Sequence, residues 1–350
     1  MQTKKQSLLT DVLNGAWGTI GPKSLSSAEL IARRVSGTHG IFTHSASTAL
    51  EAQLRSLEIT YGDRVITASY GNPMNAMVTA AAGATPVFAD IDADTATLSP
   101  ASVKSAITGR TKAVIADAPG GNPCDAKTLA AICAEKGIKL IINLGDGYNT
   151  VLEGKPLAQY AYGAVLDLSD GCALSAGEGG ILVNNTREAY AAAFAYHNCG
   201  RTPGEGSTLK MDDIIGGDMR IAEWQAAVAE AAMDELDGIL AGRKKKAQAA
   251  LKELACDWLT PLSVIDGGIS SYGSVIFKYN KAKGGGRQID AVVKELCKKG
   301  YNACRPWVAM HRQPVFTTPY FQKVTGRVAG YSEDGLKQSI IAEENLVWIN

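Results

Sequence analysis

The sequence predicts an α/β protein with a mostly parallel sheet covered on both faces, followed by a smaller α+β domain. Three observations predict it. Short apolar runs of strand length recur through the first 190 residues, as strands buried on both faces read. Alanine-rich helical stretches lie between several of them, the alternation that makes parallel sheets. Beyond about residue 220 the pattern changes to one long helical stretch and then to strand-like segments.

The expected strands are Gly40–Thr43, Arg64–Ala68, Thr85–Asp90, Lys112–Asp117, Lys139–Asn143, Ala164–Leu168 and Gly180–Val183. Helices are expected at Thr48–Leu57, Pro73–Ala82 and Ala126–Lys136, each opened by a residue suited to capping: Ser47, Asn72 and Asp125. Ile221–Leu254 carries apolar residues at helical spacing and reads as one long helix or a broken pair. Strand-like segments such as Ser271–Lys278 follow from about Leu259, then a helix at Ile289–Lys299, with the run Gly284-Gly285-Gly286 as a loop. This organisation divides the chain into a large domain, 1–235, and a small C-terminal domain, 236–350.

Composition bounds the function. The 350 residues carry 35 Lys plus Arg and 35 Asp plus Glu, so no whole-chain field draws the protein to nucleic acid or to an anionic membrane. The basic run Arg243-Lys244-Lys245-Lys246 falls on the long helix and reads as a solvated face. No apolar run reaches the roughly 18 residues of a membrane span, and the N-terminus lacks the apolar stretch of a signal peptide, so a cytoplasmic location is expected. The seven cysteines are scattered, without paired or zinc-ligand spacing, and read as reduced thiols.

In an open α/β sheet, ligands gather at the carboxyl ends of the strands. The loops to inspect begin at His44, Ser69, Ala118, Leu144 and Ser169. Around them lie Gly15–Pro22, Tyr61-Gly62-Asp63-Arg64-Val65-Ile66, Gly83–Asp92, Thr111–Ile115, Gly121-Asn122-Pro123-Cys124-Asp125, Gly177-Glu178-Gly179-Gly180, and Arg305-Pro306-Trp307 with Met310–Phe316. In this order and over most of the chain, these segments resemble the DegT/DnrJ/EryC1/StrS family of sugar aminotransferases. The resemblance implies the type I pyridoxal-phosphate-dependent transferase fold, like that of aspartate aminotransferase, with a seven-stranded, mostly parallel sheet. It also implies a homodimer, or a heterodimer with a homologous aminotransferase, through Ile214–Arg220. In the family that segment reaches into the partner's site.

The resemblance further implies pyridoxal phosphate, held as a Schiff base by a lysine five residues before the Gly-Glu-Gly-Gly segment. That position is Cys172, and a thiol forms no aldimine. The acidic partner of the pyridine nitrogen falls on Asn143. The ring-stacking position falls at Gly71-Asn72, which offers no aromatic. The phosphate-binding pair falls on Ala46-Ser47, a phosphate-binding serine on Asp167, and the asparagine from the neighbouring subunit on Asp218. Asp146 replaces a glutamine near the ring hydroxyl, and His311 lies in the substrate segment. With these replacements no cofactor is expected. The chain reads as a repurposed homologue acting on a small polar, amine or sugar-like ligand, or as a non-catalytic partner of an active homologue; retained use of the cofactor is the third reading. Lys155, a substitute lysine for that reading, belongs to a surface loop. Asp146, Asp167, Asp170, Glu178 and Asp218 are expected to crowd one cleft. Two readings of them stay open: several face solvent, or the old phosphate pocket receives a cation, an amine or a metal, although no metal-ligand spacing stands out. Cys172 as a nucleophile needs a base, His44 or His197, close by, while neighbouring carboxylates raise its pKa.

Overall fold

The computed structural model describes residues 3–15, 18–202, 215–327 and 331–350. Ala16 and Trp17 of the opening glycine-rich segment, and Ile214 of the segment assigned to the partner's site, lie outside them. The large part of the chain runs α1 (Lys4–Asn14), α2 (Pro22–Arg34), β1 (His39–Thr43), α3 (Ala46–Ser56), β2 (Arg64–Ala68), α4 (Pro73–Ala81), β3 (Thr85–Ala89), α5 (Pro100–Ala106), β4 (Thr111–Asp117), α6 (Ala126–Lys136) and β5 (Lys139–Gly145). A short hairpin, β6 (Val151–Leu152) and β7 (Lys155–Pro156), leads to β8 (Gly163–Asp167), β9 (Gly180–Asn184) and α7 (Arg187–His197). The chain then forms α8 (Glu223–Leu254), β10 (Leu259–Pro261), β11 (Gly268–Ile269), β12 (Val275–Tyr279), α9 (Ile289–Lys298), β13 (Ala303–Cys304), α10 (Pro319–Thr325), α11 (Lys337–Asn345) and β14 (Leu346–Ile349).

The seven expected strands form one sheet in the order β1-β9-β8-β5-β4-β2-β3, each within two residues of its expected limits. Strands β8, β5, β4, β2 and β3 are parallel, and β9 runs antiparallel between β8 and β1. Their continuous apolar character has the expected cause, since both faces are covered. Ile66, Val114, Ile142 and Leu166 pack with Ile31, Val103, Leu129 and Leu236 on one side. Val65, Ile115, Ile141 and Val165 pack with Leu50, Leu54, Val78 and Phe194 on the other.

The helix beginnings show which local chemistry decided them. Asn72 and Asp125 cap α4 and α6 as expected, accepting from the backbone N–H of Met74 and Thr128. At α3 the cap is Ser45 rather than Ser47. Ser45 Oγ accepts from Thr48 N at 3.2 Å and Thr48 Oγ1 accepts from Ser45 N at 3.0 Å, a reciprocal pair that starts the helix earlier than expected. The strand expected at Ser271–Lys278 begins only at Val275. Before it, Ser271 N and Ser274 N donate to the carbonyls of Gly121 and Gly120 and hold the segment against the turn after β4.

Helix α8 is one unbroken helix of 32 residues, and the boundary expected at 235/236 falls inside it. Its first turns lie in the core beneath the large sheet through Ala226, Ala229 and Leu236. Its last turns join Leu259, Phe277, Val292, Leu296 and Val347 in a second core under the antiparallel sheet β10-β12-β14-β13.

Glu223, at the start of α8, is 2% exposed. It accepts hydrogen bonds from Gly21 N at 2.8 Å, Lys23 N at 2.9 Å and Ser24 N at 3.0 Å. Helix α2 is capped by Gly21, which has no side chain to do this, so the orphan donors of its first turn are satisfied from 200 residues away. Glu223→Ala should therefore destabilise the fold by roughly 2–4 kcal/mol, and Glu223→Gln, which still accepts, by less. Urea unfolding midpoints of the two variants measure this; equal stability of Glu223→Ala and wild type would remove the capping role.

Candidate functional site

Strands β4, β5 and β8 lie side by side, and Asp117 and Asn143, at or near the ends of β4 and β5, line the space between the two sheets. Asp117 and Asn143 are register partners across β4 and β5. They are joined through helix α4: Asn143 Nδ2 donates to Asn75 Oδ1 at 2.8 Å, and Asn75 Nδ2 donates to Asp117 Oδ1 at 2.8 Å. The second Asp117 oxygen accepts from Asn72 N at 3.1 Å. Gly71 makes this approach possible, because a Cβ there would stand 2.6 Å from Asp117 Oδ2. Asp117 is 4% exposed, and burial pushes its carboxyl up to about 7 against the pull of the two amide donors.

Above this floor lies a cavity of about 990 Å³. Trp307 and Trp348 form its aromatic wall, backed by Tyr70, whose hydroxyl accepts from Trp348 Nε1 at 3.1 Å. Arg243 and Lys246 of α8 close another side, and Tyr272 and Tyr301 line the rim. The volume suits a small polar molecule of sugar size or somewhat larger.

The structure brings some of the expected site residues together and separates others. Asn72, Asn143 and Asp146 line the cavity, whereas Ala46, Ser47, Asp167, Cys172, Asp218 and His311 do not. Asp146 accepts twice from Ala173 N and forms an ion pair with Arg243 Nη1, while Arg243 Nη2 donates to the Gly171 carbonyl at 2.8 Å. Burial raises the Asp146 carboxyl, with Arg243 acting against it. Asp167 ends β8, half-buried, and accepts from Ser169 N at 2.9 Å. Ala46 and Ser47 form the first, half-buried turn of α3.

The expected crowd of carboxylates is not one cleft. Asp218 is exposed and accepts from Arg220 Nε and Nη2, both at 2.7 Å, a pairing that holds its carboxyl below the ordinary value. Glu178 is exposed, and Asp170 stands at the cavity rim. The physical reason is local pairing: a guanidinium two residues away claims Asp218, and one 97 residues away claims Asp146. The reading of Arg243–Lys246 as a solvated face is corrected at its first residue, since Arg243 is half-buried at the site while the three lysines stay exposed. Among the described residues, no three His, Cys, Asp or Glu side chains gather where they could hold a metal ion.

Sequence reasoning missed Asp117. The signal was present: the buried apolar run Ala113–Ala116 of β4 ends on a carboxylate, an uncommon residue to bury. Inspection of the loops from Ala118 onward passes over it by one position.

His311 is buried, its Nδ1 at 2.5 Å from Ser69 Oγ and its Nε2 without a hydrogen-bond partner; burial and neighbouring Arg312 lower its pKa. His197 Nδ1 lies 2.8 Å from the Phe194 carbonyl, and burial drives its pKa down to about 4. His44 is exposed. Neither His44 nor His197 forms a hydrogen bond to Cys172. The neighbour of that thiol is the Ser169 hydroxyl, 3.8 Å from Sγ.

The profile of the DegT/DnrJ/EryC1/StrS aminotransferase family matches residues 1–332. The chain belongs to that family. Among curated relatives, spore coat polysaccharide biosynthesis protein SpsC of Bacillus subtilis is 26% identical over 328 residues, 91% of this chain and 82% of the relative. A Streptomyces kanamyceticus protein provisionally named L-glutamine:3-amino-2,3-dideoxy-scyllo-inosose aminotransferase is 28% identical over 281 residues, 78% of this chain and 66% of the relative. The solved structure of 3-amino-5-hydroxybenzoic acid synthase superposes with a TM-score of 0.87 at 23% identity, covering 99% of this chain and 90% of that one. The chain is thus a homologue of sugar and aminocyclitol aminotransferases with their type I fold. Among its described residues no helix is long and apolar enough to cross a membrane.

Cys172 lies five residues before the Gly177-Glu178-Gly179-Gly180 segment, and its surroundings suppress the thiolate. Burial pushes the thiol up to about 12, with the Asp146 and Asp167 carboxylates adding to the shift. At pH 8 an unperturbed thiol is roughly a quarter thiolate, whereas one at about 12 is ionised roughly once in ten thousand. Cys172 should therefore react with iodoacetamide at least about a hundredfold more slowly than exposed Cys256. Peptide-mapped alkylation at pH 8 measures the two rates, and comparable labelling would contradict this electrostatic environment.

Proposed function

We propose that this chain is a DegT-family aminotransferase homologue without the Schiff-base chemistry of its relatives, acting without pyridoxal phosphate on a small polar, amine or sugar-like substrate held in the cavity between the two sheets. The observation that carries the reading is Cys172, which supplies a thiol where the family chemistry needs an amine.

The other residues at the cofactor positions also fit the group poorly. The Asn143 amide is neutral, and its nitrogen is already committed to Asn75, so it supplies no charge to a pyridine nitrogen. Asp167 would bring a carboxylate to the phosphate. At about 4 Å and an effective dielectric near 20, each such like-charge contact costs about 4 kcal/mol. Among the cavity-lining residues the single lysine is Lys246, exposed on α8.

A second reading is a non-catalytic partner for an active homologue, or a homodimer of this chain. What supports an assembly is a set of exposed apolar side chains on α2 and at the beginning of α8: Leu25, Leu30 and Trp224, with Ile215 94% exposed nearby in sequence. A monomer at micromolar concentration in light scattering, with no complex formed on adding a homologous aminotransferase, would remove this reading.

The purified protein is expected to remain colourless on titration with pyridoxal phosphate, and borohydride should fix no adduct. Cys172→Lys alone should not produce a coloured protein, because the phosphate would still meet Asp167. Cys172→Lys with Asp167→Ser should begin to. A yellow wild-type protein whose absorbance shifts on adding an amino donor would overturn the proposal and return the chain to the cofactor-dependent members of its family.

A further inference from the structure

Asp117 takes no part in the Schiff-base chemistry of the family, and its surroundings are specific. Its oxygens accept from Asn75 Nδ2 and Asn72 N, and no cationic side chain forms an ion pair with it among the described residues. A carboxylate that deep in the protein, with amide donors alone, is costly unless a positive charge joins it. Arg243, the guanidinium that lines the cavity, is bonded to Asp146 and to the Gly171 carbonyl. Trp307 and Trp348 line the same cavity as the carboxylate. A buried carboxylate and an aromatic wall are together the chemistry that recognises an ammonium group.

We propose that the cavity binds a small polyhydroxylated primary amine in its ammonium form, with Asp117 as the group that anchors the charge. The hydroxyls of such a ligand would meet the amides of Asn72 and Asn143 and the rim tyrosines. The anchoring acid stands on β4, one strand over from the position where the family resemblance places its acid, now Asn143.

The proposal predicts a pH dependence with a definite sign. The ammonium binds the ionised carboxylate, which burial holds near 7, so affinity is high above that pH. It falls by about tenfold per unit below it, as Asp117 takes up a proton. The other titratable groups facing the cavity are Asp146 paired with Arg243, Asp170, Lys246, Tyr272 and Tyr301. Cys124, beside Asp117, is a buried thiol pushed up to about 12 and stays neutral throughout.

The test is calorimetric titration of the full chain with glucamine, whose primary amine stays protonated like that of lysine, against sorbitol, the same skeleton without the amine. Glucamine should bind at least about tenfold more tightly than sorbitol at pH 8, and Asp117→Asn should remove that preference together with the pH dependence. Equal binding of the two probes, or wild-type affinity for glucamine that does not change between pH 8 and pH 5.5, would overturn the proposal. The wild-type pH profile decides the matter even if Asp117→Asn fails to fold. The inference rests on the cavity being the ligand site, as the proposed function also holds, but the two fail separately. Uptake of pyridoxal phosphate removes the proposed function and leaves Asp117-dependent glucamine binding standing, whereas loss of glucamine preference removes only this inference.

Discussion

The pairing of Arg243 with Asp146 fixes the geometry on which the site depends. One guanidinium spans two loops of the large sheet, binding the Asp146 carboxylate after β5 and the Gly171 carbonyl after β8. It thereby ties helix α8 to the loop that carries Cys172. The same contact neutralises the carboxylate that would otherwise dominate the cavity. With Asp146 satisfied, Asp117 is left as the deep carboxylate with amide partners alone, and the electrostatic character of the cavity follows from that difference.

The two carboxylates illustrate how similar groups acquire different roles from their surroundings. Both are pushed up by burial. Asp146 has a guanidinium and a backbone N–H directed at it, so its charge is compensated within the protein. Asp117 is ordered by Asn75 and by the N-terminal turn of α4, which orient it without neutralising it. An oriented and uncompensated carboxylate is suited to a ligand, whereas a compensated one is suited to holding loops together.

The sheet was legible in the sequence because a strand covered on both faces must be apolar throughout, and Val65–Ile66, Val114–Ile115 and Ile141–Ile142 announce this directly. Two helix caps were legible because Asn72 and Asp125 act on residues two or three positions away. The start of α3 was misplaced because Ser45 and Ser47 are equally suited to capping, and only the reciprocal bond with Thr48 distinguishes them. The site was less legible for the same reason extended in range. Nothing local to Asp146 names Arg243 as its partner, and nothing local to α2 names Glu223 as its cap. Asp218 could be placed correctly only by seeing Arg220 turn toward it. The position of Cys172 was legible as a distance in sequence, five residues before the Gly177-Glu178-Gly179-Gly180 segment.

Helix α8 also bears on how the cavity can admit a ligand. Its 32 residues make a rod about 48 Å long whose two ends are embedded in different cores. A pair of lobes joined by a short flexible link can swing open, but a continuous helix resists such a swing, because bending it strains the hydrogen bonds of its own backbone. The stiffness of α8 thus adds to the direct bonds that hold the sheets apart at a fixed spacing, those of Ser271 N and Ser274 N to the Gly121 and Gly120 carbonyls and of Trp348 Nε1 to Tyr70. Entry to the cavity then falls to the loops at its rim, around Gly171 and Tyr272, so that exchange with solvent should be governed by local motions of a few residues rather than by large-scale rotation of one half of the molecule.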